Sequence, residues 1–134
     1  MRSSRLVVII ATLSAVGALA LGTAGTATGD GPTVAVGGQV SLKFDPPERF
    51  FGRVNSRKPV CERNRRVALK YWMMPDSPAE VLDFDRTDAE GDWEIEIEPF
   101  ATEGDYQAKV RRKVVHRPNR TIVCRRLLSI KHHF

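Results

Sequence analysis

The sequence predicts an all-β protein, an antiparallel sandwich of two sheets with about seven strands and one disulfide. Three observations carry this. Short apolar–polar alternations recur along the chain, separated by glycine, proline and acidic turns. No segment sustains the 3.6-residue period of a helix. Two cysteines, Cys61 and Cys124, bracket the central runs. Several short strands without helices bury their apolar faces by packing sheet on sheet.

The first 27 residues have the three parts of a secretory signal. Arg2 and Arg5 form the positive start, Leu6 to Leu21 an apolar run of sixteen residues, and Gly22 to Ala27 a small-residue stretch suited to cleavage after Ala27, or secondarily after Ala24. The rival is an uncleaved anchor, but the run falls short of the roughly 20 residues a spanning helix needs. Arg2 and Arg5 are not adjacent, which argues against a twin-arginine signal. No cysteine near the cleavage region marks a lipoprotein. The mature chain would run from Thr28 to Phe134, 107 residues, with no transmembrane segment after cleavage. That is one domain. Residues 28–38, rich in glycine and threonine, read as a flexible leader, and residues 39–134 as the sandwich.

Strands follow in order. Val40–Phe44 is stopped by Pro46-Pro47, and Arg49–Val54 follows. A polar loop, Asn55 to Pro59, leads to Cys61. Val67–Met73 alternates with Val67, Leu69, Tyr71 and Met73 on one face, and Pro75 and Pro78 bracket the next loop. Val81–Phe84 is a weaker strand, and Asp88–Gly91 a turn. Trp93–Glu98 is apolar on one face and acidic on the other, and Pro99 ends it. Tyr106 opens a strand running to about Val115, Pro118-Asn119 is a turn, and Thr121–His133 is a last strand region bent near Arg125-Arg126.

Export would take Cys61 and Cys124 to an oxidising compartment, where intramolecular pairing is the reading adopted. The rivals are an intermolecular bridge and two free thiols. The bridge would close about 63 residues, a constraint of about 4 kcal/mol in the chain-entropy model.

Charge is laid out in blocks. Arg49 to Lys70 holds eight basic residues against Glu62 alone, Asp76 to Asp105 twelve acids against Arg86, and Lys109 to Lys131 nine basic residues and no acid. Loss of Arg2 and Arg5 takes the net charge from +5 to +3. One account is structural. Trp93–Glu98 would pair with Tyr106–Lys113, setting Glu94, Glu96 and Glu98 against Lys109, Arg111 and Lys113. The other is a polyanion-binding surface of Arg63, Arg65, Arg66, Arg125 and Arg126 gathered around the disulfide. Outside a cell it would meet anionic wall polymers, acidic headgroups or an extracytoplasmic protein. Export and the small mature charge argue against nucleic acid.

Other motifs have plain readings. Asp83 to Asp92 offers alternating oxygen ligands for calcium, but Asp88 stands where a calcium loop needs glycine, so a hairpin turn with Gly91 at positive φ is expected. His132 and His133, adjacent on a strand, face opposite ways and read as an exposed tail. Trp72 reads as partly buried cover for a sheet or loop. No serine has a nucleophile-elbow context, and Asp83/Asp85 lack the cleft a glycosidase pair needs. No catalytic residue, cofactor or metal is expected.

Thr87-Asp88-Ala89-Glu90-Gly91-Asp92-Trp93, then Pro99 and Gly104-Asp105-Tyr106-Gln107-Ala108-Lys109-Val110, resemble the turn pattern of carboxypeptidase-regulatory-like domains, which are transthyretin-like (prealbumin-like) sandwiches. Phe51-Gly52-Arg53-Val54 and Cys61 to Leu69, with Cys124 and Ser129, are similar to small secreted actinobacterial proteins using this fold. The resemblance spans about Arg49 to Ile130. It implies a non-catalytic accessory module, with Gly91 in the hairpin, Trp93 and Tyr106 packed inward and Gly104 easing the approach to the next strand. The expected protein is an exported, non-catalytic module that binds a cell-envelope polymer or protein. The alternatives are a calcium-stabilised adhesion module and a small secreted hydrolase.

Overall fold

A computed structural model describes residues 31–134, so the expected signal segment, residues 1–27, lies outside the described residues. The strands are β1 (Thr33–Val36), β2 (Gly38–Val40), β3 (Lys43–Asp45), β4 (Arg49–Ser56), β5 (Arg66–Trp72), β6 (Glu80–Arg86), β7 (Asp92–Glu96), β8 (Asp105–Val110), β9 (Lys113–Arg117), β10 (Arg120–Cys124), β11 (Leu127–Leu128) and β12 (His132–His133). Among the described residues one 3-10 turn, Pro59–Cys61, precedes β5. The protein is therefore all-β. It differs from the expected seven strands in two sheets because several expected strands break, leaving shorter strands in three sheets.

In the four-stranded sheet, β4 pairs with β2 and β3 on one side and β7 on the other. In the five-stranded sheet, β8 carries β11 and β12 on one side and β5 on the other, with β6 beyond β5 at the edge. The two share one core. Phe50, Val54, Trp93 and Ile95 of the first meet Val67, Leu69, Tyr71, Tyr106, Ala108 and Val110 of the second. Phe50 stacks on Tyr106 at 4.5 Å between centroids, and Phe134 closes the group against Phe44 at 5.1 Å. Full burial of each large apolar side chain contributes about 1.5–3 kcal/mol. β1, β10 and β9 form a third sheet with its own small cluster of Val36, Ile122, Cys61 and Cys124.

Local departures from the sequence reading have physical causes. Residues 33–36, expected within a flexible leader, form β1, because the edge of β10 is free to take Thr33–Val36 as a parallel partner and Val36 is buried. Val40–Phe44 splits at Ser41-Leu42, where the Ser41 hydroxyl accepts the Arg53 N–H at 2.9 Å in place of a ladder bond. Met73 lies past the end of β5 and is exposed. The C-terminal tail is docked as β12 rather than loose, with Phe134 and Gly104 exchanging backbone bonds at 3.1 Å. The turn motif is laid out as expected. Gly91 has φ 88°, and Trp93 and Tyr106 are buried. A Cβ on Gly104 would run into the Tyr71 ring and lie 2.8 Å from the Trp72 carbonyl oxygen.

β7 pairs with β4, not with β8. Arg49 and Arg53 thus receive the acids. Arg53 Nε donates to Asp92 at 2.6 Å, and Arg49 reaches Glu94 at 3.4 Å and Asp45 at 2.8 Å. The hydrogen bond from Arg53 holds the Asp92 carboxyl below the usual carboxylate value. The expected match of Glu94, Glu96 and Glu98 to Lys109, Arg111 and Lys113 does not form.

The second half of the chain is built on one hairpin, in which β9 and β10 pair at one end and β8 and β11 at the other in the same register. The ladder breaks between them, at Arg111-Arg112 on one arm and Arg125-Arg126 on the other. Arg65 fills the break. Its guanidinium, 1% exposed, donates to the carbonyls of Arg111 (2.7 and 3.2 Å), Arg125 (2.7 Å) and Cys61 (2.6 Å). The Cys61–Cys124 disulfide, with Cα atoms 5.3 Å apart, ties the 3-10 turn to the same place. Thr87 locks the Arg65 backbone from the other side, accepting its N–H at 2.7 Å and donating to its carbonyl at 2.9 Å. Burial pushes the Arg65 guanidinium below the ordinary arginine value, yet arginine stays charged in proteins.

Removing this guanidinium leaves three carbonyls without their donor, each a loss of about 1–3 kcal/mol when buried. Arg65→Met is expected to lower stability by about 3–5 kcal/mol in denaturant unfolding with the disulfide intact. Arg65→Lys keeps the charge but not the fork, and should recover less than half of the loss. A lysine variant as stable as the parent would show that charge alone suffices.

Candidate functional site

Antiparallel register sets the site. Arg66 of β5 stands opposite Arg86 of β6. Extending the β5–β8 pairing one step places Arg111 opposite Arg66, and Arg111 N–H donates to the Arg66 carbonyl at 2.9 Å. Arg126 lies exposed on the facing arm of the hairpin, next to Leu127, which pairs with Val110. Arg86, Arg66 and Arg111 therefore stand in register across β6, β5 and the end of β8, and exposed Arg126 continues the row at the break. Among the described residues no carboxylate lies within 4.0 Å of any of them. Like charges directly opposite one another on neighbouring strands are destabilising.

More positive charge lies beside the row. Lys113, opposite Cys124, sends its ammonium to the carbonyls of Arg63 (2.9 Å) and Val60 (3.1 Å). Burial, then the like charges of Arg65, Arg63 and Arg86, push it below the ordinary lysine value. Arg86 is steadied by the Asn64 side-chain oxygen at 3.1 Å, and Arg66 rests over the Phe84 ring at 4.0 Å.

Of the residues expected to bind a polyanion, the structure brings Arg66 and Arg126 into the row. Arg125 lies exposed beside them, and Arg63 is exposed on the turn before β5. Arg65 is corrected: it is buried beneath this surface, its donors spent on backbone carbonyls, so a ligand at the surface does not reach it. Sequence reasoning missed Arg86, Arg111 and Lys113. Arg86 carried a signal, as the lone base among twelve acids. Arg111 carried none, because its place depends on the pairing of β8 with β5.

The acidic side is occupied by backbone and arginine. Asp88 accepts the N–H groups of Glu90 (3.0 Å) and Asp92 (2.8 Å), which is the hairpin turn, and Asp85 accepts that of Glu94 at 2.8 Å. Among the described residues no three His, Cys, Asp or Glu side chains are grouped to hold a metal. The hydroxyls of Ser41, Ser56, Ser77 and Ser129 all bond to the backbone. A shallow groove of about 780 Å³ between the β1–β2 link and the end of β4 lies away from the arginine row. No family model matches the chain, and neither a curated protein nor a solved structure matches it significantly.

Asp105 is the one carboxylate on the outward side of β8, and His133 takes it at 2.9 Å. That hydrogen bond, with a second partner in Glu103, raises the His133 pKa. The stabilisation is fully present below the free-histidine value of about 6.5 and is lost as pH rises through the higher folded value. Melting temperature should therefore fall across that window, and His133→Asn should flatten the fall. An NMR titration placing the His133 pKa at or below the free value would contradict the pairing.

Proposed function

We propose that the protein is an exported, non-catalytic binding module whose arginine row holds an anionic polymer of the cell envelope. One observation carries this: Arg86, Arg66 and Arg111 stand in register with Arg126 exposed beside them, and none has a carboxylate partner among the described residues. A fold gains nothing from opposed like charges, whereas a bound polyanion would neutralise them.

Export is supported by the disulfide, which persists in oxidising compartments. Among the described residues no helix is long and apolar enough to cross a membrane. Two main sheets sharing one core support a transthyretin-like sandwich to which the third sheet is appended. The positive φ of Gly91 and the inward Trp93 and Tyr106 support the same reading.

The test is retention on anionic wall material. Binding should weaken steeply as salt rises from about 0.05 to 0.5 M, where screening shortens to a few ångströms. Arg66→Glu combined with Arg126→Glu should reduce it about tenfold or more at low salt. Retention indifferent to both salt and the substitutions would defeat the proposal. Arg65→Glu is unsuited to this test, since it attacks the fold.

A further inference from the structure

We propose that the outer face of the five-stranded sheet is a track along β5 for a linear anionic glycan, with its charged groups on Arg66, Lys70 and Lys131 and its sugar rings against Phe84 and Trp72. This rests on the polyanion reading above and adds the class of ligand and the direction in which it runs.

Residues paired in register share a face of the sheet. β5 turns Arg66, Lys70 and Trp72 outward, with Phe84 and Arg86 of β6 and Lys109 of β8 alongside. Asp83 and Asp85 pair with the inward Leu69 and Val67 and so belong to the other face. Asp105 is already held by His133. The outer faces of β5, β6 and β8 thus carry the four cations Arg66, Lys70, Arg86 and Lys109 with no free acid among them.

Two aromatic rings interrupt the charge. Phe84 is 46% exposed, with the Arg66 guanidinium 4.0 Å from its centroid. Trp72 is half-buried, with the ammonium groups of Lys131 and Lys70 at 4.0 and 5.1 Å. Phe84 lies opposite Ala68, four residues before Trp72 on β5, which separates the rings by about 13 Å along the strand. Each site therefore joins a flat apolar face to a cation resting on it. An acidic sugar presents the complement, an apolar C–H face and a carboxylate on one ring. The repeat of this unit along β5 suits a chain rather than a compact anion. Single-stranded nucleic acid uses cations and aromatic rings in a similar way, but the disulfide favours an oxidising, extracytoplasmic setting and hence a glycan.

The test titrates the disulfide-closed protein calorimetrically with oligogalacturonates of increasing length. Neutral cello-oligosaccharides, inorganic polyphosphate and oligothymidylate serve as comparisons. Oligogalacturonate affinity should rise with length until one chain spans both rings. Phe84→Ala and Trp72→Ala should each weaken it about 3- to 10-fold while leaving polyphosphate binding unchanged. Trp72→Phe should restore part of the loss, and Phe84 is exposed enough for its truncation to leave the melting temperature near that of the parent. If the ring variants bind oligogalacturonate like the parent, or polyphosphate or oligothymidylate bind as tightly, the track is wrong while the polyanion reading stands. Cello-oligosaccharides binding as well as the acidic ones would overturn the anionic assignment. Binding of no polyanion at low salt would remove both proposals.

Discussion

The buried guanidinium of Arg65 is the interaction on which the rest of the structure depends. A hairpin of this length cannot stay in one sheet here, because its two ends belong to different layers. The break between them strands backbone carbonyls, and buried carbonyls without donors are expensive. Arg65 supplies donors in a rigid fork, reaching Arg111, Arg125 and Cys61 at once. A buried charge without a carboxylate is costly unless its donors are satisfied, and carbonyl dipoles satisfy them here. The disulfide works on the same joint. Cys61 offers one of the three carbonyls, and Cys124 precedes the residue that offers another. Covalent constraint and hydrogen bonding thus act together on the third sheet.

That joint also explains where the surface charge lies. The break needs residues that are exposed and off the hairpin's own ladder, and the sequence places Arg111-Arg112 and Arg125-Arg126 there. Meanwhile β4 takes the acids of β7, so Asp92 and Glu94 of the acidic block are paired with Arg53 and Arg49 of the first basic block. The last basic block is left without acids, and the row it forms with Arg66 and Arg86 is tolerated against its own repulsion. Arg66 softens this cost by resting its guanidinium on the Phe84 ring, a cation–π contact.

Much of the architecture was legible in the sequence. Alternation marked β4, β5, β7 and β8, proline and glycine marked the turns, and two cysteines left only one intramolecular pairing. The bend near Arg125-Arg126 was visible because two charges interrupt an apolar run. β1 was obscured because glycines surround Thr33–Val36 and the strand exists only through its partner β10. Of the arginine row, Arg66 and Arg126 were visible as members of basic clusters. Arg86 and Arg111 were not, since their positions depend on which strands pair.

By itself, then, the sequence determined the local conformations: all-β, one bridge, and acids and bases in separate blocks. Those properties follow from side-chain period, turn chemistry and composition, which are local. Tertiary structure alone decided that β7 joins β4, that Arg65 turns inward while Arg66 stays out, and that four arginines distant in the chain meet in one row. Alternation says only that neighbours on a strand face opposite ways. Which face meets the core, and which strand lies alongside, is settled by the packing of Phe50 against Tyr106 and by the carbonyls that Arg65 has to serve.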